Sequence, residues 1–254
     1  GSENDALWRR KLGSYLVADL WQQAEFKRYV RSPIPESYGA LPGLVIPFTS
    51  SIEFGKNFFG LPLAGGDHAY DASHFATRIR SVGVWFDNYD GANLAETPRA
   101  YLVPVGLDLM YVPNSSDLAT REWHVVDQTL PVPVPIGNGD LNDSGWVPGK
   151  DGQVGYSTAI LRFSSFRAYH DNGDFSADEM SYDSRLVGLS VWNTRWLLII
   201  PGGTFLTDGD EGLQTFIYGS EVPSASASSS TVVRDGNGIT DIKLFFQTYS
   251  YSGN

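Results

Sequence analysis

The sequence predicts a mainly β protein: an antiparallel two-sheet β-sandwich, jelly-roll-like, with one N-terminal amphipathic helix. Three observations carry this expectation. The first is the run Arg185 to Gly203, RLVGLSVWNTRWLLIIPGG, the longest dense stretch of Leu, Ile, Val and Trp in the chain. β-Branched and aromatic residues dominate it, which favours strand over helix. The second is a series of short apolar runs separated by clusters of Gly, Pro, Asn and Asp, the residues that turns need. The third is that a helical apolar period is clear only near the N-terminus.

Asn4 to about Arg31 reads as that helix, with Asn4 or Asp5 as its N-cap. Trp8, Leu12, Tyr15, Leu16, Leu20 and Ala24 form one apolar stripe, and Pro33 and Pro35 stop it. The chain therefore divides into an N-terminal helix, 3–35, and a β domain, 36–254. The helix is expected to pack on the sandwich. The sharper alternative makes it the end of a longer stalk, through which the parent protein would form a homo-oligomer. Gly1-Ser2 has the look of a cloning remnant, so a longer parent is expected.

From Leu44 onward the runs read as strands: Leu44 to Phe48, Phe58 to Leu63, Thr77 to Phe86, Arg99 to Val112, Arg121 to Leu130, Ile160 to Tyr169, Arg185 to Ile200 and Ile239 to Tyr249. In Thr77 to Phe86, Ile79 falls on one face with Gly83 and Trp85, and Val82, Val84 and Phe86 on the other. In the central run the alternation changes phase. Val187, Leu189 and Val191 share one face, and Trp196, Leu198 and Ile200 share the other by strict alternation. The switch falls at Asn193-Thr194, which predicts a bulge or tight turn there. A strand apolar on both faces must be covered on both, so this one belongs at the centre. Two long loops remain. Pro131 to Gly155 carries Trp146, and Pro223 to Thr231 is a Ser-rich tract with nothing to bury.

The net charge is −11, which opposes binding to phosphate backbones, and no basic patch with interleaved aromatics offsets it. Nucleic acid is therefore not an expected partner. The absence of cysteine removes disulfides, thiolate metal sites and a Cys nucleophile. No run reaches the length of about 18 apolar residues that a membrane helix needs. No G-x-S-x-G elbow or phosphate-binding glycine pattern is present, and no acidic residue stands out in an apolar context that would raise its pKa. Paired carboxylates for glycoside hydrolysis stay open, because their separation is set in space.

The acidic loop from His170 to Glu179 offers oxygen ligands in Asp171, Asp174, Asp178 and Glu179. A structural Ca²⁺ is the candidate cofactor there, although turn chemistry explains the same residues and the spacing departs from an EF-hand. Asp67, His68, Asp71 and His74 invite a zinc or His-Asp reading, but a polar connector explains them better. The remaining signal is aromatic. Trp146, Tyr156, Tyr89 and Trp123 lie at strand ends or in loops and are the candidate ligand-binding residues, whereas Trp192 and Trp196 read as core.

The end of the chain carries a resemblance. Glu211 to Phe216, then Ile239 to Tyr249 with its Thr240-Asp241-Ile242-Lys243-Leu244 strand, resemble the closing segment of the Tc (toxin complex) insecticidal toxin A subunits. Thr77 to Val84 and Arg99 to Leu102 resemble strands of the same region, and together these matches cover about a third of the chain. The resemblance implies the terminal domain of a large secreted bacterial assembly that docks a partner protein, and it implies no catalytic residues. The expected function is therefore a non-catalytic binding or assembly module that docks a protein. A carbohydrate-binding module using loop aromatics is the alternative, and a glycoside hydrolase the third. Its expected partner is a protein or glycan surface. Its expected place is secreted or on the cell surface, with the cytoplasm left open.

Overall fold

In a computed structural model the described residues are 2–29, 35–63, 74–95, 98–114, 117–124, 130–133, 189–223 and 232–252. They are mainly strand, in antiparallel sheets. The strands are β1 (Leu16–Val17), β2 (Gly43–Ser50), β3 (His74–Asp87), β4 (Arg99–Pro104), β5 (Leu107–Asn114), β6 (Asp117–His124), β7 (Leu130–Pro133), β8 (Trp192–Pro201), β9 (Glu221–Val222), β10 (Val233–Arg234) and β11 (Asp241–Ser252). The α-helices among the described residues are α1 (Ser2–Gly13), α2 (Ala24–Tyr29) and α3 (Gly209–Tyr218).

Strand β8 is central, as its composition predicts. It pairs with β2 on one side and with β4 and β5 on the other, inside a sheet of order β1-β2-β8-β4-β7 with the β5–β6 hairpin attached. The phase change at Asn193-Thr194 is a bulge. Phe48 pairs with Trp196 and Ser50 with Asn193, so Thr194 and Arg195 together oppose Thr49. The extra residue puts Val191 on the same face as Trp196, Leu198 and Ile200 instead of the opposite one. Leu197 and Ile199 line the other face with Leu20, Phe26, Tyr101 and Val103. Both faces are buried, which a strand so apolar requires.

The hydrogen bonding of the bulge is specific. Ser50 Oγ accepts from the Asn193 amide at 3.1 Å and from Trp196 Nε1 at 2.7 Å, and donates to Val191 O at 2.6 Å. The Val105 and Gly106 amides both donate to Arg195 O at 3.0 Å. This break divides the expected Arg99 to Val112 strand into β4 and β5.

Strands β3 and β11 form a separate two-stranded sheet. Its Ile79, Val84, Phe86 and Phe246 share a core with Trp196, Leu198 and Ile200. The expected split of Ile79 from Val84 and Phe86 does not occur. Ser81 pairs with Gln247 and Ile79 with Thr248, so Arg80 is an inserted residue that returns all three to one face. Helix α3 adds Leu213, Phe216 and Ile217 to that core. Asp208 caps it by accepting from the Glu211 amide at 3.2 Å. The sequence expectation is one N-terminal helix; α3 is a further one, and its local signal is the Asp208 cap followed by an amphipathic turn.

The single helix expected over Asn4 to Arg31 is broken. Helix α1 ends at Gly13, β1 follows, Asp19 caps a 3₁₀ turn at Leu20–Gln22, and α2 comes last. Asp19 Oδ1 accepts from the Trp21 amide at 3.0 Å and the Leu41 amide at 3.1 Å. The break lets the segment pass around the edge of the large sheet. Leu12 belongs to the core on one face, whereas Leu20 and Phe26 belong to the core on the other. Between them the edge strand β1 pairs Leu16 with Leu44 and Val17 with Gly43. A straight helix has one apolar stripe and cannot serve two faces of a sheet.

Phe58 to Leu63 is not a strand. Asn57 Oδ1 accepts from the Phe59 and Leu61 amides, both at 3.0 Å, and only an isolated bridge joins Lys56 to Pro62. The side-chain acceptor satisfies the amides that a ladder would have used. Of the expected Arg121 to Leu130 strand, β6 and β7 hold the two ends. The expected Ile160 to Tyr169 strand lies outside the described residues, as do residues 134–155 of the first long loop and 224–231 of the Ser-rich tract.

Candidate functional site

The described residues form a cleft of about 650 Å³ between α1, β2, the 51–63 loop and β11. That volume falls within the range of small-ligand sites. Helix α1 contributes Trp8, Lys11 and Leu12 to one wall, with Tyr15 just beyond it. Ile46, Phe48 and Leu198 form the floor, and Asn57, Phe59 and Leu61 come from the loop. Strand β11 supplies the facing wall, Asp241 to Leu244.

The aromatic floor is anchored in the core. Phe48 stacks on the buried Trp196 with ring centroids 6.2 Å apart and planes at 10°. Phe59 sits 6.0 Å from Phe48 and 5.3 Å from Phe246. Beside the packing of Leu12 and Trp8, one side chain clamps the α1 wall. Arg9 Nε donates to Ile239 O at 3.1 Å, Nη1 to Gly236 O at 2.5 Å and Nη2 to Gly238 O at 2.8 Å. The planar guanidinium fork suits three carbonyls gathered in one turn.

The rim is charged. Lys243 Nζ lies 2.5 Å from Asp87 Oδ2. Asp241 pairs with Asp87 across the β3–β11 ladder. Burial raises the Asp241 pKa; the Ile242 amide and Lys243 oppose the rise and Asp87 adds to it. Asp241 lines the cleft together with Lys243, and Asp87, which is not among the lining residues, is held in an ion pair by Lys243. The cleft thus combines ring faces and aliphatic surface with hydrogen-bonding groups at its edge. Such an arrangement is chemically suited to binding and orienting a small ligand.

A second polar site is buried. Asp108 is 1 % exposed, and burial pushes its carboxyl up to about 7. The Ser190 amide donates to its Oδ2 at 3.1 Å, and Asn193 and Arg78 also favour the charged form. Asp108 Oδ1 and Asn193 Nδ2 nevertheless each lack a hydrogen-bond partner among the described residues. This corrects the expectation that no acidic residue sits in a pKa-raising context. The signal was an Asp alternating inside the apolar run Leu107-Asp108-Leu109-Met110, where period two turns it inward.

The residues proposed from sequence fare differently. Tyr89 is a core residue: it is buried, its hydroxyl donates to Ala95 O at 2.6 Å, and its ring packs among Phe86, Phe205 and Phe216. It offers no face to a ligand, because the turn after β3 folds it back over α3. The Trp123 backbone lies in β6, paired with Asp108 of β5. Trp146, Tyr156, Asp171, Asp174, Asp178 and Glu179 lie outside the described residues. Of the His-Asp run, His74 alone is described, as the first residue of β3. Trp196 is core as expected, whereas Trp192 is half-buried beside Tyr111. Sequence reasoning placed Trp8 and Leu12 on a packing stripe but did not identify them as a cleft wall. Among the described residues no helix is long and apolar enough to cross a membrane. No family model, characterised protein or solved structure matches the chain.

Proposed function

We propose that this domain is a non-catalytic binding module of a larger, secreted or surface-exposed bacterial protein, and that the cleft between α1 and β11 seats its ligand. The observation that carries the reading is the form of the cleft: a groove floored by Phe48 and Phe59, walled by Trp8 and rimmed by Lys11, Asn57 and Asp241. Ring faces beside hydrogen-bonding groups favour a short glycan segment, whose apolar C–H faces stack on aromatics while its hydroxyls find polar partners. The β3–β11 ribbon against the large sheet fits the sandwich, jelly-roll-like architecture proposed for such modules.

A protein partner is the second reading, in line with the Tc-like resemblance. It is favoured by the loop beside the cleft, where Phe54 is 86 % and Leu61 61 % exposed. A glycan array, followed by chemical-shift mapping of the retained sugar, tests the first reading. Trp8→Ala should weaken binding by about 2 kcal/mol or more if Trp8 is the stacking platform. Shift changes confined to residues far from α1 and β11, or turnover of the polysaccharide, would overturn this assignment.

A further inference from the structure

Asp108 sits where the two sheets meet. The segment 189–191 bridges them. On one side the Ile79 amide donates to Leu189 O at 2.8 Å and the Val191 amide to Thr77 O at 3.2 Å, and Arg78 and Ser190 form an isolated bridge. On the other side the Ser190 amide donates to Asp108 Oδ2, Ser190 Oγ donates to Leu109 O, and the Trp192 amide donates to Ser190 Oγ at 3.1 Å. Beyond this bridge β5 meets β8 through two ladder pairs, Asp108 with Asn193 and Leu109 with Trp192, and through the Leu107 amide, which donates to Thr194 Oγ1 at 2.7 Å. The seam is short, and its middle is a carboxyl group removed from water.

We propose that Asp108 is a pH-sensitive latch at this junction: protonated, it closes the seam between β5, the 189–191 bridge and β8, and ionised, it loosens that seam. The surroundings decide the direction. Among the described residues Arg78 of β3 is the charged group that acts on Asp108, and it does not return the carboxyl to the ordinary range. Strand β8 presents the uncharged Asn193, while its Arg195 is exposed. On β6 the ionisable residues nearest in register are Glu122 and His124, opposite Leu109 and Leu107. An ionised Asp108 would leave a charged oxygen, Oδ1, without a hydrogen-bond partner among the described residues, and the support of Asn193 and Arg78 does not offset its burial.

The sign follows from linkage. A carboxyl whose value in the closed state is raised, here to about 7, favours that state while protonated. The contribution is complete below the ordinary Asp range and is lost as pH rises through neutrality. Between pH 5 and 7 the closed seam keeps a proton that the open one releases, so opening rises by up to about tenfold per pH unit.

Native-state amide exchange between pH 5 and 8, corrected for intrinsic base catalysis, reads this out. The Ser190 and Trp192 amides are expected to open at least about tenfold more at pH 7 than at pH 5, with amides in α3 unchanged. Asp108→Asn should flatten that dependence. Equal opening at both pH values, or the same slope in Asp108→Asn, overturns the latch. Should the variant fail to fold, carbon-13 titration of the Asp108 carboxyl in the wild-type chain decides. A midpoint near neutrality sustains the latch and one below about 5 refutes it.

Discussion

Arg9→Ala should release α1 from the body of the domain while leaving the sheets intact. Arg9 makes three hydrogen bonds to the 236–239 turn, through Nε, Nη1 and Nη2. Two are part-buried and one is exposed, so a net value of about 1 kcal/mol each is appropriate, or about 3 kcal/mol together. The helix is otherwise held by Leu12, by partly buried Trp8, and by the β1–β2 pairs that follow it. Weakening α1 by about 3 kcal/mol raises its undocked population roughly 100-fold. Amide exchange resolves this: protection within α1 should fall by about that factor while the amides of β8 keep theirs. Since Trp8 and Lys11 form a wall of the cleft, ligand affinity should fall with it. Arg9→Lys should recover only part of the loss, because an ammonium cannot span the three carbonyls as the guanidinium fork does. If α1 protection in Arg9→Ala stayed within about threefold of wild type, the clamp would not be what holds the helix.

Two further substitutions test the fold. Leu20→Ala empties a fully buried position on the second face of the large sheet, and urea denaturation should show a loss of about 3 kcal/mol. Gly106→Ala would place a Cβ 2.3 Å from Thr194 Oγ1 and 2.4 Å from the Arg195 amide nitrogen, so the bulge must shift. A loss of about 2 kcal/mol is expected from the same measurement, and an unchanged midpoint would show that the bulge yields freely.

Local chemistry made some features legible in the chain itself. The β class followed from short apolar runs punctuated by turn residues. The centrality of β8 followed from a run too apolar for one exposed face, and its bulge from a phase change that a period-two strand cannot otherwise absorb. Other features depended on contacts distant in sequence. The N-terminal stripe was correct in composition yet wrong as one helix, because Leu12 and Leu20 serve opposite faces of a sheet whose edge the sequence does not reveal. Tyr89 and Trp8 carry similar local signals. One is buried by Phe205 and Phe216, and the other borders a cleft whose far wall lies more than two hundred residues away. Asp108 shows the same limit in electrostatics. Its apolar neighbours in sequence turn it inward, but the Ser190 amide, Asn193 and Arg78 that tune its charge arrive only when β3, β5 and β8 meet. Hydrophobic period is a property of neighbouring residues, and so the sequence carries it. A cleft, a clamp or a shifted pKa is a property of residues brought together by folding, and tertiary structure alone decides it.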